Sequence, residues 1–399
     1  MAVERFALGD PAEVAARVRA LAPAAESVTE AVAWIVRDVR ERGDAALLEY
    51  VRRFDGAEGP LRVQAGGGLD PDVQTGLEVA IANVRAVAEA GLRATQEVAL
   101  PQGQVVRLRE VPVRRAAIYV PGGRAPYPST VVMGVITARV AGVDDVVVCA
   151  PGAHPLILAA CAACGADEVY AMGGAHAVAA LAYGTATVRR VDVIAGPGNL
   201  YVQEAKRLVS GDVGIDGFAG PSDVLVVAAA GADSALVSID LAAQAEHGPG
   251  TIVCAVSDDP ALLDAVEVDP GEAAAALVDA PDMEAALAFA EAFAPEHLEL
   301  MGEAEGLAPR VRSAGSVFVG AASGVAFGDY VAGSNHTLPT GGAARFASGL
   351  NVGHFRRRMS EVHIGPAAAA LAAAGAPIAR AEGFGVHAAS MEVRENLAP

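Results

Sequence analysis

The sequence predicts an α/β protein with parallel sheets, and three observations carry that reading. From Val105 onward, short Val-, Ile- and Ala-rich runs (VVRLREV, AAIYV, DDVVVCA, DEVYAM, VDVIAG, DVLVVAA, TIVCAVS, SVFVG) alternate with helical stretches. The runs are almost continuously apolar, as in strands that helices cover on both faces. Several are expected to end in glycine or Gly-Pro turns (YVPGG, AMGGAH, AGPGN, FAGPSD). Open α/β sheets place ligands beyond the C-terminal ends of their strands, so these turns are expected to mark a cleft.

Taken in order, the first hundred residues read as helical scaffold. Asp10-Pro11 is an N-cap followed by proline at the first helical position, and SVTEAVAWIVRDVRERG has helical periodicity, with Ser27 placed to cap and Glu30 three residues on. Asp70-Pro71 opens a helix expected to run through Val98. The glycine-rich AGGGLD, 65 to 70, reads as a turn, because no strand precedes it and no lysine follows. No strand end carries G-x-G-x-x-G, so a nucleotide, if bound, is held in another way. From Asn351 onward, alanine-rich helices (PAAAALAAAG, then ARAEGFGVHAASMEVRENL) form a tail too thin to be a domain, suited to packing on another surface such as a second subunit.

Composition excludes several classes. With 399 residues, 53% hydrophobic, 19% charged and a mean hydropathy of +0.37, the chain can bury two sizeable cores. No apolar run reaches the roughly 20 residues of a membrane span. MAVERFALGD carries charges where a signal peptide needs an apolar core, so a cytoplasmic protein is expected. The net charge of −19, from 29 basic and 48 acidic residues, argues against a nucleic-acid or anionic-membrane surface. The basic cluster Arg356-Arg357-Arg358 is expected on a solvated or locally paired helix face. Lys206, the sole lysine, sits in helix-like YVQEAKRLVS without the context of Schiff-base chemistry. Cys149, Cys161, Cys164 and Cys254 make no disulfide framework, and the C-x-x-C of 161 and 164 reads as buried small residues in a helix.

The polar clusters that could do chemistry are few. LAAQAEHGPG, 241 to 250, ends a helix at Gly248-Pro249-Gly250, so Gln244 and His247 are expected on one helical face near its C-terminus. Pro295-Glu296-His297 sets a carboxylate beside an imidazole where a helix gives way to a strand, the pair that general acid–base work needs. GDYVAGSNHTLPTGG, 328 to 342, reads as a polar loop holding Asp329 and His336 between flexible glycines. Glu382 and His387 sit in the tail helix. Gln244, His247, Asp329 and His387 together would offer nitrogen and oxygen ligands and no thiolate, a set suited to Zn²⁺ or Mn²⁺ in a site open to substrate. Glutamine is a poor ligand that first principles alone would not choose.

These clusters, in this order, resemble the histidinol dehydrogenase family. The resemblance runs over nearly the whole chain and rests on YVPGGRAPYPSTVVM, AGPGN, AGPSD, QAEHGPG, APEHLEL, GDYVAGSNHTLPT and AEGFGVH. It implies two incomplete Rossmann-like domains: 1–118 plus 227–350 with the N-terminal helices, 119–226 inserted in it, and a helical tail, 351–399, that crosses to the mate of a homodimer. It also implies one Zn²⁺ per subunit, held by Gln244, His247 and Asp329 of one chain and His387 of the other's tail. Glu296 and His297 are the implied catalytic pair. Ser222, His336 and Glu382, beside the metal ligands and His297, are implied to bind substrate, and Tyr119 and Asn199 to contact NAD, with His176 at a third cofactor position. The implied activity is the NAD-linked, four-electron oxidation of L-histidinol through histidinal to L-histidine in histidine biosynthesis. The alternative is a related zinc-dependent dehydrogenase of another small polar alcohol or a diol.

Three departures from the family pattern stand out. GGAHA places His176 where relatives usually show Gln. Gly134 follows Met133 where they commonly carry a side chain. Between Cys254 and Pro295 the chain is short of a helix and a turn, which reads as peripheral trimming.

Overall fold

The computed structural model describes residues 3–22, 28–122, 125–218 and 220–395. Ser27, expected to cap the second helix, lies outside the described residues. Residue contacts divide the chain into two compact units, Met1–Gly91 with Val113–Phe355, and Leu92–Pro112 with Arg356–Pro399.

The first unit holds two six-stranded sheets. One runs in the order Val3–Ala7, Ala274–Asp279, Ile252–Ser257, Asp223–Ala228, His297–Met301, Ser316–Val319, all parallel. The other runs Arg62–Val63, Glu168–Tyr170, Asp145–Cys149, Arg115–Tyr119, Val193–Ala195, Gly214–Ile215, parallel except for its Arg62–Val63 edge. Side chains alternate across a strand, and the two cores of the first sheet follow that period of two. Leu225, Val227, Leu298 and Leu300 pack with Phe289 and Phe293 of the Met283–Phe293 helix on one face. Val224, Val226 and Met301 pack with Val237 and Leu241 of the Ser234–Ala245 helix on the other. The parallel α/β architecture is therefore as the apolar runs require.

Several local expectations are corrected. The first residues are not all helical: Val3–Ala7 is an edge strand, and Arg5 Nη2 bonds Asp279 Oδ1 on its neighbour at 2.7 Å. The helix opened by Asp70-Pro71 ends at Ala90, because Gly91 follows, and Gln96–Ala99 turns into a strand. VVRLREV belongs to neither parallel sheet. Val105–Pro112 pairs antiparallel with Gln96–Ala99 and with Arg356–His363. The arginine cluster is thus on a strand rather than a helix, and it is locally paired, Arg358 Nη2 reaching Glu110 Oε1 at 2.8 Å. Around the expected domain boundaries, Arg62–Val63 and the Thr29–Arg42 helix join the second sheet and its core, while Asp223–Ala228 joins the first.

In the second unit, the helices Ala368–Ala381 and Gly385–Glu392 meet through Ala376, Ala379, Ala388 and Met391. Gly383, at φ 84°, breaks the chain between them. Glu382 is the C-cap of one helix and His387 lies in the next, so the two do not share one tail helix as expected.

Candidate active site

The polar cluster forms at the N-terminal edge of the first sheet, not beyond the C-terminal ends of its strands. Asp223 and His297 begin adjacent strands, with Val224 beside His297 in the pairing. The Ser234–Ala245 helix follows Asp223–Ala228 and connects it to the parallel strand Ile252–Ser257, so it returns its C-terminal end, with Gln244, to the edge where the strands start. The cleft expected at the strand C-termini is occupied by cofactor candidates only in the second sheet, described below.

Glu296 is buried, and its Oε2 accepts hydrogen bonds from Ser222 Oγ at 2.5 Å and Asp223 N at 3.0 Å. Burial pushes its pKa up to about 7, against the pull of the neighbouring His297. His297 is buried too, with Nδ1 3.3 Å from the Asp223 carbonyl oxygen. A carbonyl only accepts, so Nδ1 carries the proton and Nε2 is left facing Asp329 Oδ1, 3.6 Å away. Burial works to lower the His297 pKa, but the Glu296 and Asp329 carboxylates outweigh it and raise it to about 9.

Asp329 lies in the last turn of a short helix, Val325–Tyr330, rather than in a loop. Its pKa is held below the ordinary value: burial opposes this, and His297, His336 and His247 together overcome it. Three histidines thus bear on one carboxylate electrostatically. His336 Nδ1 bonds the Asp329 carbonyl at 2.9 Å and Nε2 lies 3.2 Å from Thr130 Oγ1, tying the loop to the Pro128–Val140 helix of the second sheet. His247, one residue past the helix C-cap, is exposed, with Nδ1 3.1 Å from the Gln244 carbonyl.

Gln244 supplies the most informative contact. Its Nε2 donates to Ser222 Oγ at 2.5 Å, and because that hydroxyl spends its proton on Glu296, it needs a donor in return. The amide is oriented by this chain, which leaves Gln244 Oε1 buried without a hydrogen-bond partner. Burying an amide oxygen unpaired costs about 1–3 kcal/mol, so the site asks for a cation or a donor there. The donor set, an amide oxygen, an imidazole and a carboxylate, fits a divalent zinc-like ion with positions open to substrate. Among the described residues no three His, Cys, Asp or Glu side chains gather as a metal cluster. That follows from the set itself, since one member is an amide and His387 is an exposed residue of the second unit, as is Glu382.

The cofactor candidates occupy the strand C-termini of the second sheet. Tyr119 Oη, buried, accepts from Gly174 N at 3.0 Å. His176 is buried with Nε2 3.1 Å from Asp55 Oδ2, which also accepts from Gly173 N at 2.9 Å. Asn199 is exposed and caps the Leu200–Val209 helix through Tyr201 N and Val202 N. The first amides of the Gly174–Tyr183 helix are therefore engaged by side chains, consistent with the missing glycine fingerprint. Sequence reasoning had no role for Asp223, Asp55, Thr130 or Arg19, whose Nη1 reaches Asp223 Oδ2 at 3.1 Å. Asp223 stood inside the quoted AGPSD; a carboxylate opening an otherwise apolar buried strand was the available signal.

A family profile described as histidinol dehydrogenase matches residues 22–395. The chain belongs to this family. Histidinol dehydrogenases of Thermus thermophilus and Rhizobium meliloti are 44% and 40% identical to it, over 92% and 93% of this chain and 95% and 93% of theirs. The crystal structure of histidinol dehydrogenase from Elizabethkingia anophelis superposes with a TM-score of 0.92 at 28% identity, covering 98% of each chain. Membership makes the chain an oxidoreductase. Among the described residues no helix is long and apolar enough to cross a membrane. Within the histidinol dehydrogenase framework, Gly134 has a local cause: a Cβ there would sit 2.3 Å from Ile118 Cγ2.

Proposed function

We propose that the chain oxidises L-histidinol through histidinal to L-histidine, a four-electron reaction that consumes two NAD⁺ at a site with one Zn²⁺ per subunit. The setting proposed is histidine biosynthesis in the cytoplasm. The observation that carries this reading is the hydrogen-bonded chain Gln244–Ser222–Glu296, which orients the Gln244 amide and leaves its buried oxygen without a partner. Gln244, His247 and Asp329 are the proposed ligands from one subunit, and His387, with the substrate-binding Glu382, the contribution of a second copy's tail. The domain division 1–118 plus 227–350, 119–226 and 351–399 belongs to the same proposal with its borders moved to the sheets: Arg62–Val63 and the Thr29–Arg42 helix go with the second, and the whole of Asp223–Ala228 with the first. Tyr119, His176 and Asn199 are the proposed NAD contacts.

An ion held by Gln244, His247 and Asp329 would supply a Lewis acid beside the substrate, and NAD⁺ would supply the hydride acceptor. His297 Nε2 takes the hydroxyl proton as hydride leaves the alcohol carbon. With Nδ1–H fixed on the Asp223 carbonyl, that lone pair points to one side only. Neutral His297 is the form a base needs, and a second positive partner for Asp329 weakens that carboxylate's hold on the imidazole proton. Glu296, poised near neutrality by burial, removes a proton from the water that adds to the aldehyde, and loss of a second hydride from the resulting hydrate to a second NAD⁺ yields the acid. Ser222 steadies the carboxylate form of Glu296, and His336, held by Thr130, borders the substrate. None of the four cysteines takes part; all are buried and free.

The test follows reduced-cofactor absorbance with L-histidinol before and after chelation, with bound metal measured in parallel. Turnover lost on chelation and restored by zinc is the expected outcome. A metal-free protein with full activity would end the zinc assignment. Oxidation of a small diol but not of histidinol would transfer the site to the alternative substrate class, which the buried His176 in place of Gln favours. Sedimentation of the active form tests the shared tail, and an active monomer would contradict it.

A further inference from the structure

A second pair of acids lies directly behind the site. On the His297–Met301 strand, Leu298 and Leu300 face one core and Met301 the other, so His297 and Glu299 share the face that meets the Ser234–Ala245 helix. Glu299 is fully buried there, in register with Val226 and Phe318 on the flanking strands, and in the layer that holds Val237, Leu241 and Val325. The charged group that bears on it is Asp240, half-buried on the helix one turn before Gln244. Asp240 also borders the start of the Val325–Tyr330 helix: a Cβ on Gly324 would lie 3.0 Å from its Oδ1. The pair therefore stands where the elements bearing Gln244 and His247, His297, and Asp329 meet.

Neither Glu299 oxygen is reached by a hydrogen-bond donor. Two carboxylates hold no donor between them, and a buried, unpaired charge costs several kcal/mol. One proton resolves this, turning Glu299 into a donor to Asp240. Burial, reinforced by Asp240, raises the Glu299 pKa from 4.5 to about 9, and burial raises that of Asp240. No step of the reaction uses either group.

We infer that Glu299 and Asp240 share one proton, and that this acid–acid bond is a positioning device that locks the helix carrying Gln244, and leading into His247, against the strand carrying His297. The inference rests on the metal-site reading above for its consequence, while the shared proton is independent of any metal. Outer hydrogen bonds that orient ligand-bearing elements matter roughly 10–100-fold in metal affinity.

The experiment uses Glu299→Gln, Glu299→Leu and, as control, His247→Ala. Zn²⁺ affinity is read by chelator competition at neutral pH, and urea stability of the metal-free full chain is read across pH. Glutamine keeps a donor to Asp240 without a titrating proton, so it preserves affinity; leucine suits the apolar layer but ends the tie, and should weaken Zn²⁺ binding by about tenfold or more without a lower melting temperature. The folded-state pKa of Glu299 lies above its unfolded value, so its stabilising effect is complete below about 4.5 and is lost as pH rises toward about 9. The wild-type chain should thus lose stability relative to Glu299→Gln across that window. A stability difference that is flat with pH overturns the shared proton. Wild-type affinity in Glu299→Leu, with metal lost in His247→Ala, overturns the positioning role alone. If His247→Ala binds zinc as the wild type does, the metal-site reading fails, and the pH-stability arm still decides the acid pair. Should Glu299→Leu not fold, Asp240→Leu removes the same tie from the half-buried side.

Discussion

Replacing Ser222 with alanine tests how the site sets the basicity of Glu296. The hydroxyl donates to Glu296 Oε2 at 2.5 Å and is one of two donors on that oxygen, the other being Asp223 N. A hydrogen bond to an ionised group contributes about 1.5–3 kcal/mol, and about 1.4 kcal/mol corresponds to one pH unit, so its loss should raise the Glu296 pKa by roughly one to two units. Glu296 already sits at about 7. As a base it works only when ionised, so the acid limb of kcat/KM for histidinol should move toward higher pH, with rate lost at neutrality and largely recovered in mildly alkaline buffer. The assay is the initial rate of NADH formation over a pH series for both proteins at saturating zinc. A variant that loses rate equally at every pH, with its acid limb where the wild type has it, would refute the argument. Ser222 would then act on binding rather than on Glu296.

Other consequences are as direct. Asp329→Asn and His247→Ala should each abolish turnover together with bound metal, as judged by metal content after gel filtration; an inactive variant that keeps stoichiometric zinc would separate the two losses. Gly134→Ala should destabilise by about 1–3 kcal/mol in urea titration, because its Cβ meets Ile118 Cγ2 at 2.3 Å, and Ile118→Ala in the same chain should recover part of that loss. Glu168 is held down to about 2: burial opposes ionisation, but the Tyr170 hydroxyl and Arg115 outweigh it. Its folded pKa lies below the unfolded one, so its contribution is present above about 4.5 and disappears as pH falls toward about 2. Wild type and Glu168→Gln should converge in stability across that acid window, and parallel curves would be the contrary result.

How much of this was legible in the sequence depended on the range of the interactions. The strands Arg115–Tyr119, Asp145–Cys149 and Asp223–Ala228 are apolar on both faces because helices cover both, and a run of Val and Ala declares that locally. Gly91 ended a helix that periodicity alone carried on to 98, and Val105–Pro112, whose exposed Arg107 and Arg109 flank Leu108 and mark one wet face, was swept in with the buried strands. Pairing with Arg356–His363, some 250 residues away, is set by partners that no local window contains.

The site shows the same limit more sharply. Glu296-His297 is a local doublet and reads at once, whereas Gln244 has meaning only through Ser222, which fixes its amide, and through the oxygen this leaves unpaired. Residue chemistry ranks glutamine low as a ligand because a free amide binds metals weakly; a buried amide whose nitrogen is already committed is a different ligand, since its oxygen has lost water and gained nothing. The expectation that ligands gather at strand C-termini failed for a related reason. It describes anions held by backbone amides, which suits the nucleotide side of this chain. The proposed cation site would need side-chain oxygen and nitrogen, and the C-terminal end of the Ser234–Ala245 helix offers them together with the negative end of its dipole, at the opposite edge of its own sheet.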